Sequence, residues 1–316
     1  MSTRNRSGLA YLIVLAGVAG HASSEFFAVL SGVAGPEASV WRYLIGSAGL
    51  LVAALSRKST RDLITPLKED GCRLLWLSVV GVSFAYLAFH WALDFATAVQ
   101  VATLVTTIPI FVGLANLVIN RVPFTAPKIL VAACAIVGVA LLVTDGYLGE
   151  LAGRKGSLTG IGLALTCSAL VAIYSVMARP LINRHGAFRI TTITITIGAA
   201  GLWVIVGLAW NVWVDPFTLF DRPPIERWSL LTLGLWNTTI TQLLWLGGLA
   251  AVPDITRGAY LFFLKSVITA LLAFLFLTQP ITAIQMLAIV IICGSVVVEL
   301  LWPRFVALRF SAGASN

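Results

Sequence analysis

Between Phe84 and Phe111 the sequence reads FAYLAFHWALDFATAVQVATLVTTIPIF, an apolar run that still carries Tyr86, His90, Trp91, Asp94 and Gln100. A phenol, an imidazole, a carboxylate and an amide in such surroundings are groups that orient a polar solute or tie helices together. Tyr86, His90 and Asp94 are spaced by four, so on a helix they share one stripe. Tyr86 and His90 are expected to face a cavity, where aromatic bodies bury a solute's apolar part and polar tips fix its orientation. Asp94, beside the tight DFAT turn, is expected to cap the next helix, and Gln100 reads equally as a cavity group or a packing amide.

Other polar groups fall in similar places. An ionisable group at the centre of a membrane helix costs about 2.5–3.5 kcal/mol on insertion scales, so it turns toward the bundle interior or a wet cavity. Lys265, in RGAYLFFLKSVITALLAFLFL, is the deepest of them and is expected to meet a substrate carboxylate, a protein carboxylate or exposed carbonyls; Tyr260 precedes it. Glu25 and Arg42 each lie about five residues inside a span, roughly 7–8 Å deep at 1.5 Å per residue. They read as an ion pair clamping adjacent helices, or as a gate or contact for a substrate carboxylate. His21 precedes Glu25 by one helical turn and reads as a hydrogen-bonded histidine or a proton relay. Trp236 and Asn237 are further candidates, with Gln242 only partly on the same face, while Pro109 and its small neighbours would let a helix bend.

These residues need elements to hold them, and composition says what those are. The 316 residues are 59% hydrophobic and 11% charged, with a mean hydropathy of +0.96, whereas soluble domains average about 45–50% apolar and about 25% charged. Lipid must be the solvent for much of the chain. The net charge of +8 comes from cations spread between apolar runs, not gathered in a nucleic-acid patch. Cys72, Cys134, Cys167 and Cys293 have neither metal-pair nor disulfide-scaffold spacing. The basic, apolar start resembles a signal peptide but reads as an uncleaved first span, because further spans follow it.

A spanning helix needs about 20 mainly apolar residues. The pattern predicts ten, near 8–30, 37–55, 74–93, 97–119, 126–144, 157–178, 190–211, 228–250, 256–277 and 282–302. Of the 21 Lys and Arg, four (Arg154, Lys155, Arg222, Arg227) fall on one side and two (Arg42, Lys265) within spans; the other fifteen share the opposite side. The positive-inside rule then puts both termini in the cytoplasm, and the expected location is the inner cell membrane.

RVPFTAP and TQPITA align Pro123 and Thr125 with Pro280 and Thr282 at a shift of 157. Each closes a fourth span of five, and five is odd. Residues 1–150 and 151–316 are therefore expected to be two five-helix repeats inserted in opposite senses, an all-α architecture of secondary transporters.

At this point the chain resembles the EamA-type members of the drug/metabolite transporter superfamily. The resemblance rests on AGHASSEFF, on GPEASVWRYLIG, on ATAVQVATLVTTIPIF with its Pro109, on RVPFT, on GIGLALTCSALVAIYSVMAR and on FLTQPIT. Asn120, Arg121 and Gln279 stand near turns where that family commonly has glutamate, and Lys265 where it more often has a carboxylate or proline. The tryptophan- and tyrosine-rich third, eighth and ninth spans are most similar to exporters of the YddG type. The resemblance implies export of small metabolites, aromatic and other neutral amino acids foremost, through a midplane cavity, or export of another drug or metabolite. No cofactor is expected, and the chain has no GxxxxGK[ST] for ATP. Without HExxH or a filter-like repeat, a membrane-embedded enzyme and a channel are the weaker readings. The expected partners are a small solute and lipid; nothing in the sequence fixes an oligomeric state.

Overall fold

In lipid every backbone amide must be satisfied within its own segment, so apolar runs of this length close into helices. The computed structural model describes residues 3–96, 98–145, 157–277 and 281–313. They are mainly helical, with no strand among them. Nine of their helices are long and apolar enough to cross a membrane. A tenth, lower in apolarity, is the path from Pro224 to Ala251, which carries Asn237, Thr238, Thr239, Thr241 and Gln242.

Several boundaries move from the sequence expectation. The third span starts at Ile64, ten residues early, in a charged turn kinked at Asp70 (φ −129°). The sixth continues through Pro180 to His185, and the tenth runs on to Gly313. The first span breaks at Ser23 into Thr3–Ala22 and Ser24–Leu30. The fourth breaks between Ala98–Val105 and Ile108–Asn120, with Pro109 opening the second piece. Proline fits there because the first turn of a helix needs no amide donor. In the ninth, a 3₁₀ turn, Tyr260–Phe263, separates Ile255–Ala259 from Leu264–Leu277. The closing turn TQP (278–280) and the 146–156 segment with Arg154 and Lys155 lie outside the described residues.

The packing pairs each half with the other. The first span lies on the eighth and the sixth on the third; the second lies on the seventh and the fifth on the tenth. Exchanging the halves maps this set of pairs onto itself. Close approach needs glycine at two of these crossings. A Cβ on Gly17 would sit 2.8 Å from the Trp245 amide nitrogen, and one on Gly81 would sit 2.6 Å from the Tyr174 Cβ. Both halves also carry a π turn within their third span, Val79–Phe84 and Leu235–Ile240. Such turns free backbone carbonyls and recur at functional sites.

Candidate functional site

The breaks and π turns surround a hollow between the two halves. The first span contributes His21 and Ser24, the second Arg42, and the third Tyr86 and Phe89. Cys167 and Val171 of the sixth and Trp245 of the eighth complete the helical walls. The broken fourth and ninth spans supply Val105 and Ile108, then Phe262 and Lys265. The hollow measures about 40 Å³, space for only a few waters. Ligand pockets usually span about 300–1,000 Å³, so a solute enters only when the walls part.

The walls repeat. Phe262 and Lys265 follow Val105 and Ile108 by 157 positions, the shift that relates Pro123 to Pro280. Trp245 follows Phe89 by 156, the offset between the two π turns. At that same offset Gln242 follows Tyr86, and Gln242 Nε2 donates to the Tyr86 hydroxyl at 2.5 Å.

Arg42 is 4% exposed. Its Nε donates to Thr238 Oγ1 at 3.0 Å and its Nη2 to the Asn237 carbonyl at 3.3 Å, both in the eighth-span π turn. The guanidinium also lies 5.8 Å and 6.0 Å from the ring centres of Tyr43 and Tyr86. Lys265 Nζ sits 5.8 Å from the Phe262 ring centre. His21 meets the Trp245 and Phe262 rings edge-on, at 6.1 and 5.7 Å between centroids. The result is an aromatic and aliphatic chamber with an arginine and a lysine in its wall.

Four of the residues expected from sequence therefore meet at the hollow: His21, Arg42, Tyr86 and Lys265. His90 does not. An i, i+4 row advances about 400° per step, so it drifts about 40° every four residues. That drift carries His90 toward the second span, where its Nδ1 lies 2.7 Å from Ser39 Oγ and 2.9 Å from the Tyr86 carbonyl. Phe89 takes the cavity face instead. Asp94 drifts further and packs against Gly35, whose φ of +57° opens the second span. The turn that Asp94 was expected to cap enters through Thr97, outside the described residues.

Trp236 and Asn237 hold the first-span break rather than the hollow. Trp236 Nε1 donates to Ser23 Oγ at 3.1 Å, and Asn237 Nδ2 donates to the Gly20 carbonyl at 2.6 Å and to Ser23 Oγ at 2.9 Å. Tyr260 is also displaced from the hollow; it is fully buried and its hydroxyl donates to the Lys128 carbonyl at 2.6 Å. Glu25 and Gln100 lie on helices, but their side chains fall outside the described residues. Phe89, Phe262, Cys167 and Val171 escaped sequence reading, although the 157-residue shift from Val105 pointed at Phe262.

Charge pairs close the two ends of the bundle unequally. At the end reached after four and eight crossings, Lys128 Nζ lies 2.6 Å from Asp254 and Arg257 Nε lies 3.1 Å from Glu299. Asn116 Nδ2 reaches Thr256 Oγ1 at 3.5 Å above them. Burial pushes the Asp254 carboxyl upward, but Lys128, backbone donation from Arg257 and the Arg257 charge outweigh it and hold the group below the usual carboxylate range. At the other end Arg222 bridges Glu37 and Glu226, both at 3.4 Å, and these pairs are more exposed.

The chain itself matches known proteins. The EamA-like transporter family model aligns twice, with residues 8–144 and 158–301. The chain belongs to the EamA-like transporter family. The EamA match makes it a multi-pass membrane transporter built of two repeats of about five helices. A Bacillus subtilis (strain 168) relative, "Uncharacterized transporter YyaM", is 21% identical over 82% of each chain. Uncharacterized transporters of Clostridium kluyveri (23% identical, over 81% of this chain and 80% of that one) and Archaeoglobus fulgidus (25%, over 76% and 78%) are similar. A solved crystal structure superposes with a TM-score of 0.78 over 95% of this chain and 99% of its own, at 17% identity; that likeness establishes the fold alone.

Proposed function

We propose that this EamA protein is a secondary exporter of small metabolites, aromatic and other neutral amino acids foremost. Residues 1–150 and 151–316 are taken as inverted repeats that rock around the hollow, in the inner membrane with both termini cytoplasmic. The observation that carries the reading is the wall itself. Val105 and Ile108 line the hollow together with Phe262 and Lys265, and Phe89 together with Trp245, so equivalent positions of both halves enclose one space. A rocking motion that exchanges the conformations of two like halves exposes such a space to each side in turn.

In this reading Tyr86, His21 and Lys265 contact the solute, and Phe89, Trp245 and Phe262 receive its apolar body. His90 stands behind Tyr86 as its support. Lys128, Asp254, Arg257, Glu299 and Tyr260 form the cytoplasmic gate, while Arg222 with Glu37 and Glu226 forms the weaker outer one. Trp236 and Asn237 set the angle of the first-span break, and Pro109 that of the fourth.

The test is counterflow of radiolabelled phenylalanine and leucine in proteoliposomes, with Lys265→Ala and Tyr86→Phe beside wild type. Saturable uptake by wild type and weakened uptake by both variants are expected. Wild-type liposomes that take up neither amino acid above empty vesicles would remove this substrate class.

A further inference from the structure

The Arg42 guanidinium carries more hydrogen-bonding capacity than the protein uses. It has five N–H donors in a planar fork. Two of those donors are engaged, and both acceptors are uncharged: the Thr238 hydroxyl and the Asn237 carbonyl. The residue is 4% exposed, and among the described residues no carboxylate pairs with it. A buried cation without a counter-charge is costly; the Tyr43 and Tyr86 ring faces compensate in part. The side chain also forms part of the wall of the hollow. A guanidinium placed in this way can take a planar anion from that side.

We propose that Arg42 is the anion anchor of this transporter, binding the carboxylate of an organic solute in a two-pronged hydrogen bond while the solute's apolar body lies against Phe89, Trp245 and Phe262. The proposal rests on the exporter reading above and narrows it, since the carboxylate becomes the group that selection requires. Thr238 and the Asn237 carbonyl act as positioning groups, fixing the guanidinium plane through Nε and one Nη so that the remaining N–H groups face the space. A π turn is what allows this, because it loosens the helical hydrogen bonding around Asn237. The apolar remainder of the wall (Val105, Ile108, Val171) selects against a small inorganic oxyanion, which would have nothing to match it.

A clamp between the second and eighth spans would use the same two bonds, so the test must separate clamp from anchor. Counterflow of radiolabelled phenylalanine into proteoliposomes of the full chain is competed with 3-phenylpropanoate, phenylalaninamide and inorganic phosphate. The carboxylate is expected to compete at least as well as unlabelled phenylalanine. The amide and phosphate should be at least about tenfold weaker, the effect of losing one charge-assisted pair. This comparison changes only the ligand and needs no folded variant. Arg42→Gln should raise the half-saturation concentration for phenylalanine about tenfold or more. Arg42→Lys should recover part of it, because a point charge replaces the fork. Competition by the amide within twofold of the acid, or by phosphate as strongly as 3-phenylpropanoate, overturns the anchor while leaving the exporter reading intact. Absence of any phenylalanine uptake overturns the exporter reading, and the anchor with it.

Discussion

Lys128, at the start of the fifth span, and Asp254, at the head of the ninth, stand 2.6 Å apart and join the first half of the chain to the second. The Asp254 carboxylate does two things at once. Its Oδ1 accepts from the Thr256 and Arg257 amides as a helix cap, and its Oδ2 takes the lysine. One of the contacts that close this end thus comes from a group that also starts a helix.

Asp254→Asn separates the two duties, because asparagine still caps but carries no charge. Lys128 is then left 12% exposed without its partner, a loss of about 1–3 kcal/mol. A melting temperature in detergent several degrees below wild type is expected, with Asp254→Ala lower still for want of the cap. Equal melting of Asp254→Asn and wild type would show the pair to be idle.

The same carboxyl gives a pH dependence whose sign follows from its depressed folded value. A carboxyl held below its unfolded value, about 3.9, stabilises the fold fully above that value and loses the contribution as pH falls through the folded one. The melting difference between wild type and Asp254→Asn should therefore be constant at neutral pH and shrink below about pH 4. A difference that widens on acidification would contradict the assignment.

Cys167 offers a native reporter on the hollow wall. It is 2% exposed, and Cys72, Cys134 and Cys293 can be replaced by serine to leave it alone. A small membrane-impermeant thiol reagent is expected to label it slowly, with saturating phenylalanine slowing labelling several-fold. Asp254→Asn should speed labelling only from the side that bears the Lys128–Asp254 pair. Labelling indifferent to substrate would place the solute elsewhere.

Gly17→Val tests the interhelical contact. Its Cβ would meet the Trp245 amide nitrogen at 2.8 Å, a backbone atom that cannot rotate away. Overpacking of this kind costs about 1–3 kcal/mol. The expected outcome is a lower melting temperature with reduced flux. Gly8→Val, in open space on the same helix, should leave both unchanged.

Much of this architecture could be read from residues alone, for physical reasons that differ by element. Lipid imposes length and apolarity, so the helices and their number were legible, including the eighth span with its amides. The break at Pro109 was legible because proline disrupts a helix by local chemistry. The π turns were not, since VVGVSF and LWNTTI carry no such signal; tertiary packing selects them. Assignment of faces failed where ideal periodicity was carried too far. His90 was read on the Tyr86 stripe although the row drifts by about 40°, and Tyr260 lies in the 3₁₀ turn that interrupts the helix before Lys265. Lys265, Arg42, Tyr86 and His21 were legible because buried polar groups have few places to go.

The narrowness of the hollow ties its size to its wall. With room for only a few waters, the space admits a solute of amino-acid size only if rings such as Phe89 and Phe262 turn aside, so entry is coupled to side-chain motion.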